Sequence, residues 1–349
     1  METGEGSNNV KTIITENWNE YLETFSTEKK DIYYFEEYVK LYENEDGKAL
    51  CAICSEGEHI LLIPYIRKKI EQYYDFETAY GYGGPIANTD DQEWIYHALE
   101  EMKELFKREN YICGFLRFHS LLENVKYCDK GIHTIFDRNT VAIKTDQSEE
   151  EIWLGQITSK NRNMIRKAEK NGLEYKAEYD FASIKEFVRL YNLTMSRLSA
   201  EDFYFFSEEY YRSFVEKFKG KGFLGTVRKD GELICAALFM YSGDYGHYHL
   251  EGSNHEYSGM AANNYLLWKT SIELGKLGVK EFHLGGGYNS EPDNSLLKFK
   301  KSFSNNLKDF YIGKWIFNEE KYCDLKRRWE EANPEKVEKF GRLLLCYRY

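Results

Sequence analysis

The chain has 349 residues, 42% of them apolar and 30% charged, a globular composition that excludes wholesale disorder. Four prolines and 26 glycines exclude a polyproline stalk and a collagen-like repeat. With 47 Lys and Arg against 58 Asp and Glu, the net charge of −11 excludes a globally basic nucleic-acid binder and leaves room only for a local basic patch.

At roughly 100–200 residues per domain, the length implies two domains or one large one. No apolar run reaches the roughly 18–20 residues that a bilayer span needs, and METGEGSNNV is not a basic-then-apolar leader. The expected compartment is the cytoplasm, without stable membrane insertion. Seven widely spaced cysteines, Cys51 and Cys54 among them in the strand-like ALCAIC, read as reduced thiols, not as a disulfide framework.

In chain order, about ten frayed residues precede a helix over 15–25, whose Trp18, Tyr21, Leu22 and Phe25 recur at helical spacing. A short helix follows over 35–42. The runs 49–53 and 59–66 form a hairpin, and Tyr80-Gly-Tyr-Gly-Gly-Pro85 is a tight connection. The stretch 91–108 is an amphipathic helix, and 111–118 and 134–143 are strands. Helices are then expected over 149–154, 162–171, 183–197 and 207–218, with a strand at 173–178. Three strands follow at 222–228, 232–241 and 245–251, the first two joined by Lys229-Asp230-Gly231. A polar loop (252–260) leads to a helix (261–277), a strand (280–284), Gly285-Gly-Gly-Tyr-Asn289, a helix (296–303), a strand (309–317) and closing helices (322–331, 334–347). Both halves run through strands, a turn or loop, a helix and a strand, which suggests internal duplication of one α/β fold with mixed sheets.

Chemistry concentrates in the second half. Gly259-Met260-Ala261-Ala262 opens a helix with small residues, so a ligand can approach free backbone N–H groups at the positive end of the helix dipole. The Gly285–Gly287 run permits close backbone approach, but neither a phosphate-loop G-K-[ST] nor G-x-G-x-x-G follows. In SLLKFKKSF, Lys298 and Lys301 share a face while Lys300 points elsewhere; a lysine beside a groove can offset a phosphate or a developing oxyanion. The basic stretch SKNRNMIRKAEK holds Lys160, Arg162 and Arg166, the two arginines four apart and suited to a phosphate or carboxylate. On 245–251, His247 and His249 share one face with Glu251, a candidate base, and Tyr248 takes the other. No metal set and no G-x-S-x-G elbow stands out.

These motifs together resemble the GNAT acyltransferases, and more closely their duplicated FemA/FemB-like peptidyltransferase and BioF2-like acetyltransferase branch. The carriers are Ser159-Lys160-Asn161-Arg162-Asn163-Met164-Ile165-Arg166-Lys167-Ala168, the helix start Gly259 to Trp268, the strand Phe282 to Gly287 and the stretch Leu297 to Phe303. The resemblance covers about 149–317. It implies a tandem GNAT-like fold, with a divergent domain over 1–147, the motif-bearing domain over 148–320, and closing helices over 321–349.

It further implies N-acyl transfer from acyl-CoA or aminoacyl-tRNA to a small-molecule or peptide amine by direct attack, with no tightly bound cofactor and no metal. Lys301 and Glu251 would be catalytic. Arg162, Arg166, Lys160, Tyr248 and Asn289 would bind substrate, and Gly259, Met260, Ala261 and Ala262 would receive the donor. The long helical-hairpin insertion of tRNA-using members is not visible, so tRNA is the less favoured donor. Two alternatives are a tRNA-dependent aminoacyltransferase acting on a peptidoglycan precursor and a non-catalytic ligand binder on the same fold.

Overall fold

The computed structural model describes residues 10–128, 130–291 and 294–349; the frayed start expected at the N-terminus lies almost wholly outside them. The chain forms two compact units, one of residues 1–137 and 310–349 and the other of 138–309. The first junction thus lies ahead of the expected 147/148. Residues 310–320, expected in the second domain, belong to the first unit, together with the closing helices.

In the first unit, β1 (Lys11–Thr15) pairs antiparallel with β2 (Gly47–Glu56). The helix expected over 15–25 shrinks to one turn, Asn19–Leu22. The β-branched KTIIT extends along β2 instead, and Glu36 takes the Asn19 N–H (2.9 Å) just ahead of that turn. β2 and β3 (His59–Ile70) make the expected hairpin, and β4 (Tyr73–Glu77), absent from the sequence reading, pairs antiparallel with β3. The short β5 (Ile86–Ala87) also lies on β3. Helix α1 (Gln92–Arg108) buries Ile95, Ala98, Leu99, Met102 and Phe106, and leads to β6 (Tyr111–Arg117), which is parallel to β4.

β7 (His133–Lys144) carries the chain into the second unit. A capping box at Ser148 and Glu151 opens a short helix that widens into a π-turn over Ile152–Gln156. Then come α2 (Ser159–Lys170), β8 (Glu174–Glu178), α3 (Ile184–Arg197), α4 (Glu208–Lys217), β9 (Gly222–Lys229), β10 (Glu232–Ser242) and β11 (Tyr245–Ser253). The turn between β9 and β10 places Asp230 and Gly231 at positive φ, as its sequence requires. After a 3₁₀ turn (His255–Met260) follow α5 (Ala262–Lys276), β12 (Glu281–Gly286) and α6 (Ser295–Lys301). β8, β9, β10 and β11 are antiparallel neighbours in that order; β12 is parallel to β11, and β7 antiparallel to β12.

β13 (Leu307–Ile316) returns the chain to the first unit and pairs antiparallel with β6, and α7 (Glu319–Ala332) follows. The helix expected over 334–347 is broken: Val337–Phe340 is helical, and the chain end is drawn aside by Arg348, which pairs with the buried Asp75 at 2.8 Å.

The two units therefore share one strand order, β1-β2-β3-β4-β6-β13 in the first and β8-β9-β10-β11-β12-β7 in the second. The duplication suspected from the order of elements is present in the topology. The core of the second unit gathers Ile165 and Ala168 of α2, Phe223, Val227 and Phe239 of the sheet, Leu266, Leu267 and Leu274 of α5, and Phe303. Among the described residues, no helix is long and apolar enough to cross a membrane.

Candidate active site

The site is built where β11 and β12 part. Their parallel pairing covers only Tyr245–His247 against Glu281–His283, so β11 runs on to Ser253 without β12 beside it. The gap is framed by α5, which follows β11, and α6, which follows β12. Beside the free end of β11 and the start of α5 lies a cavity of about 270 Å³ lined by Arg197, Ser253, His255, Ala262, Asn263 and Phe299, among others.

The start of α5 faces this cavity. Its cap position is Ala261, held in the left-handed region at φ +60° with no side-chain hydrogen bond to the first turn. The amide donors of that turn are thus left for a ligand, at the end of the helix where the dipole favours negative charge. Ala261 and Ala262 are buried against the core yet line the cavity; Gly259 is exposed, and a Cβ added there would meet nothing within 4 Å. Met260 is half-buried against the same core.

Glu251 does not share a face with His249. The β10–β11 register shifts between Leu238 and Phe239, so that Leu238 faces Leu250 and Phe239 faces Tyr248. The extra residue on β11 is His249, and this bulge reverses the alternation beyond it. His249 turns to Tyr210 (2.6 Å) and stacks on Phe214 of α4, whereas Tyr248 stacks on Phe239 and Glu251 reaches Cys235 (3.8 Å). Tyr248 and Glu251 therefore share the face of the sheet that carries α5. Burial raises the Glu251 carboxyl above the ordinary carboxylate range; hydrogen bonds with Ser253, Cys235 and Asn263, and the charge of Arg197, oppose that shift without cancelling it. A carboxyl raised in this way is a stronger base than an ordinary carboxylate.

The lysine at the site is Lys300. Phe299 and Phe303 pack edge to face (5.4 Å) and turn the Lys300 side of α6 inward, leaving Lys301 exposed. Lys300 is 7% exposed; its Nζ donates to the Gly286 carbonyl at the end of β12 (2.7 Å) and lies 5.8 Å from the Tyr248 ring. Burial, with the nearby Arg138 charge, lowers its pKa to about 7. This amine bridges the two strands where they diverge. Its spacing of four from Leu296 and three from Phe303 is the signal that could have identified it as the inward residue.

Arg162 folds back to donate to the carbonyls of Trp153 and Ile157, satisfying the π-turn. Arg166 is exposed, bonded to Asn163 (3.1 Å) and placed over the Trp153 ring, and Lys160 is exposed on the same helix. Asn289 accepts from Asn294 Nδ2 (2.7 Å), while Asn294 caps α6. A Cβ on Gly287 would meet the Asn294 side chain at 2.5 Å, so this glycine is needed for the packing of a turn. The structure thus brings Glu251, Tyr248 and residues 261–262 to one region and leaves Arg166, Lys160 and Lys301 at the surface. Arg197, Cys235, Asn263 and Lys300 join the site without having been singled out in the sequence.

A mixed sheet whose central parallel pair splays beside an uncapped helix start is the frame on which the family comparison falls. Residues 159–301 match the model of the acetyltransferase (GNAT) domain. The second unit carries a GNAT domain. Solved structures extend the fold similarity to most of the chain. The crystal structure of FemX is 15% identical, with a TM-score of 0.71 over 89% of this chain and 99% of that one. A C-terminal DUF2156 domain from Agrobacterium fabrum is 13% identical, with a TM-score of 0.58 over 91% and 97%. A tandem GNAT protein from the clavulanic acid biosynthesis pathway is 7% identical, with a TM-score of 0.53 over 89% and 99%. A search of curated proteins finds no match. The segment matched to the GNAT model includes α5, β11, β12 and Lys300, so the splay and the uncapped helix start both lie inside the GNAT domain.

Proposed function

We propose that the GNAT domain moves an acyl group from an activated, phosphate-bearing donor to a primary amine by direct attack. The observation that carries this reading is the uncapped start of α5, open to a cavity that also holds Arg197 and His255, with Phe299 of its wall adjacent in sequence to the buried Lys300. Phosphates at the free amides and Arg197 would anchor the donor and leave its acyl carbonyl in the gap between β11 and β12.

The amine nitrogen then attacks the carbonyl carbon and forms a tetrahedral oxyanion. The Lys300 ammonium offsets that charge. The proton shed by the amine passes to Glu251, the carbon–sulfur or carbon–oxygen bond of the donor breaks, and the leaving group departs with the electron pair. No covalent enzyme intermediate is required.

Acyl-CoA is the first donor to test. Aminoacyl-tRNA is the second, favoured by one feature: Lys160, Arg166, Lys167 and Lys170 are all exposed on α2. The experiment incubates the protein with acetyl-CoA, longer acyl-CoAs or charged tRNA and a panel of amines, and reads acylated product and released carrier by mass spectrometry. The expected result is equimolar acyl-amine and free carrier with one donor class. Binding that weakens steeply with salt would mark tRNA. Folded protein that neither binds nor turns over any donor would overturn the reading.

A further inference from the structure

The Gly285-Gly286-Gly287 turn at the end of β12 is soft by composition, with Gly285 at φ +74° and no side chain to fix its peptide planes. Two cations from two elements hold it. Lys300 of α6 donates to the Gly286 carbonyl (2.7 Å), and Arg138 of β7 donates through Nη1 to the next carbonyl, that of Gly287 (2.9 Å). The Arg138 stem lies along the same turn: a Cβ added to Gly286 would stand 3.1 Å from Arg138 Cδ and 3.4 Å from its Cγ. The Arg138 charge disfavours the Lys300 ammonium, so Arg138 does not serve that amine as a counter-charge. What it supplies is a hold on the peptide next to the carbonyl that Lys300 uses.

We propose that Arg138 is a positioning residue: by holding the Gly287 carbonyl and packing along Gly286, it fixes the peptide plane on which Lys300 Nζ is seated where β11 and β12 diverge. The inference rests on the reading of Lys300 as the group that offsets the oxyanion. The Gly286 and Gly287 carbonyls belong to consecutive peptide units that meet at the Gly287 α-carbon, and at a glycine two such planes turn against each other over a wide range. The Asn294 side chain closes one side of that α-carbon. Arg138 fixes the carbonyl beyond it. Without the guanidinium the turn is free to rotate, the Gly286 carbonyl swings away from Lys300, and the amine is no longer kept at one point.

The first readout needs no substrate. The full chain is methylated reductively with formaldehyde and a borane, and Lys300 is followed by mass spectrometry with the exposed Lys301 as internal reference. Buried and bonded to Gly286, Lys300 should react slowly in the parent. Arg138→Met, which keeps an aliphatic stem along Gly286 and loses the donors, is expected to speed Lys300 labelling about tenfold relative to Lys301. Loss of the Arg138 charge alone would make Lys300 more basic and slow the reaction, so faster labelling reports the lost hold. Arg138→Lys, whose ammonium still reaches the Gly287 carbonyl, should return most of the protection. The second readout is kinetic, with the donor and amine that the parent accepts. Arg138→Met should lower kcat by about 10–10²-fold while KM for the donor changes by less than about twofold, and Arg138→Lys should recover most of the loss. Unchanged or slower labelling in Arg138→Met overturns the proposal; where that variant fails to fold, Arg138→Gln is read in its place. Faster labelling with kcat unchanged would uphold the hold on Lys300 and overturn the role of Lys300 in the reaction.

Discussion

The two units repeat one topology and treat its central feature in opposite ways. In the first unit the parallel pair β4–β6 is closed beyond its regular pairing. Thr78 N–H donates to the Phe115 carbonyl (3.0 Å), Arg117 donates to the Thr78 carbonyl (2.7 Å), and Gly83 bridges to Phe118. Asn124 Nδ2 covers the carbonyls of Gly83 (2.8 Å) and Pro85 (2.9 Å). The following helix, α1, starts on Asp91, whose carboxylate accepts from the N–H groups of Glu93 and Trp94 at 3.1 Å each. In the second unit the equivalent strands separate after His247 and His283, and the equivalent helix starts on an alanine. The same frame becomes scaffold where its own side chains satisfy the backbone, and a candidate site where they do not.

The largest expected effect breaks the second unit alone. Lys300→Met should lower kcat/KM by about 10²–10³-fold, the usual range for removing a donor to a developing oxyanion. The exposed Lys301→Met should stay within about twofold. A large loss in Lys301→Met with Lys300→Met unchanged would return the role to the surface lysine.

Lys300 also carries a stability signature. Its pKa is held at about 7, below the ordinary 10.5. Between those values the unfolded chain binds a proton that the native chain does not, so stability rises with pH through the window; below pH 7 both states are protonated and the burial cost is present in full. Lys300→Met should therefore stabilise the protein by about 2 kcal/mol at pH 6, after loss of the bond to Gly286. The gain should fade by about pH 10, as read from denaturant midpoints at both pH values.

Two smaller changes test the contrast at the helix starts. Asp91→Ala should cost about 1 kcal/mol, the ordinary value of a lost cap, and leave donor binding unchanged. Ala261→Gly should stabilise by about 0.5–1 kcal/mol, because only the alanine is strained at φ +60°. Weaker donor binding in Asp91→Ala would contradict the assignment of the site to the second unit.

Much of this frame was legible in the chain. Periodicity located α1, whose apolar stripe coincides with its buried face, and apolar runs joined by short turns located the hairpins. β4 was missed because Tyr73–Glu77 is a short strand with an acidic residue, Asp75, buried by Arg348 from the distant chain end. The face of Glu251 was misread because strict alternation breaks at His249, and a bulge leaves no mark in local composition. Lys300 was passed over because a lysine on an inward face is unusual, although its spacing from Leu296 and Phe303 places it on the apolar side that the packing of Phe299 and Phe303 turns in. The basic motif on α2 was visible, yet Arg162 is consumed by the π-turn carbonyls, a partnership set by a backbone irregularity.

The return of the chain to the first unit after residue 309 has a consequence for biosynthesis. The second unit is one uninterrupted stretch, 138–309, whereas the first is completed only by residues 310–349. As the chain leaves the ribosome, β6 has no neighbour from the unit's own C-terminal segment until β13 emerges, and an unpaired strand edge invites pairing with other chains. The later-made unit is thus the first able to finish its sheet.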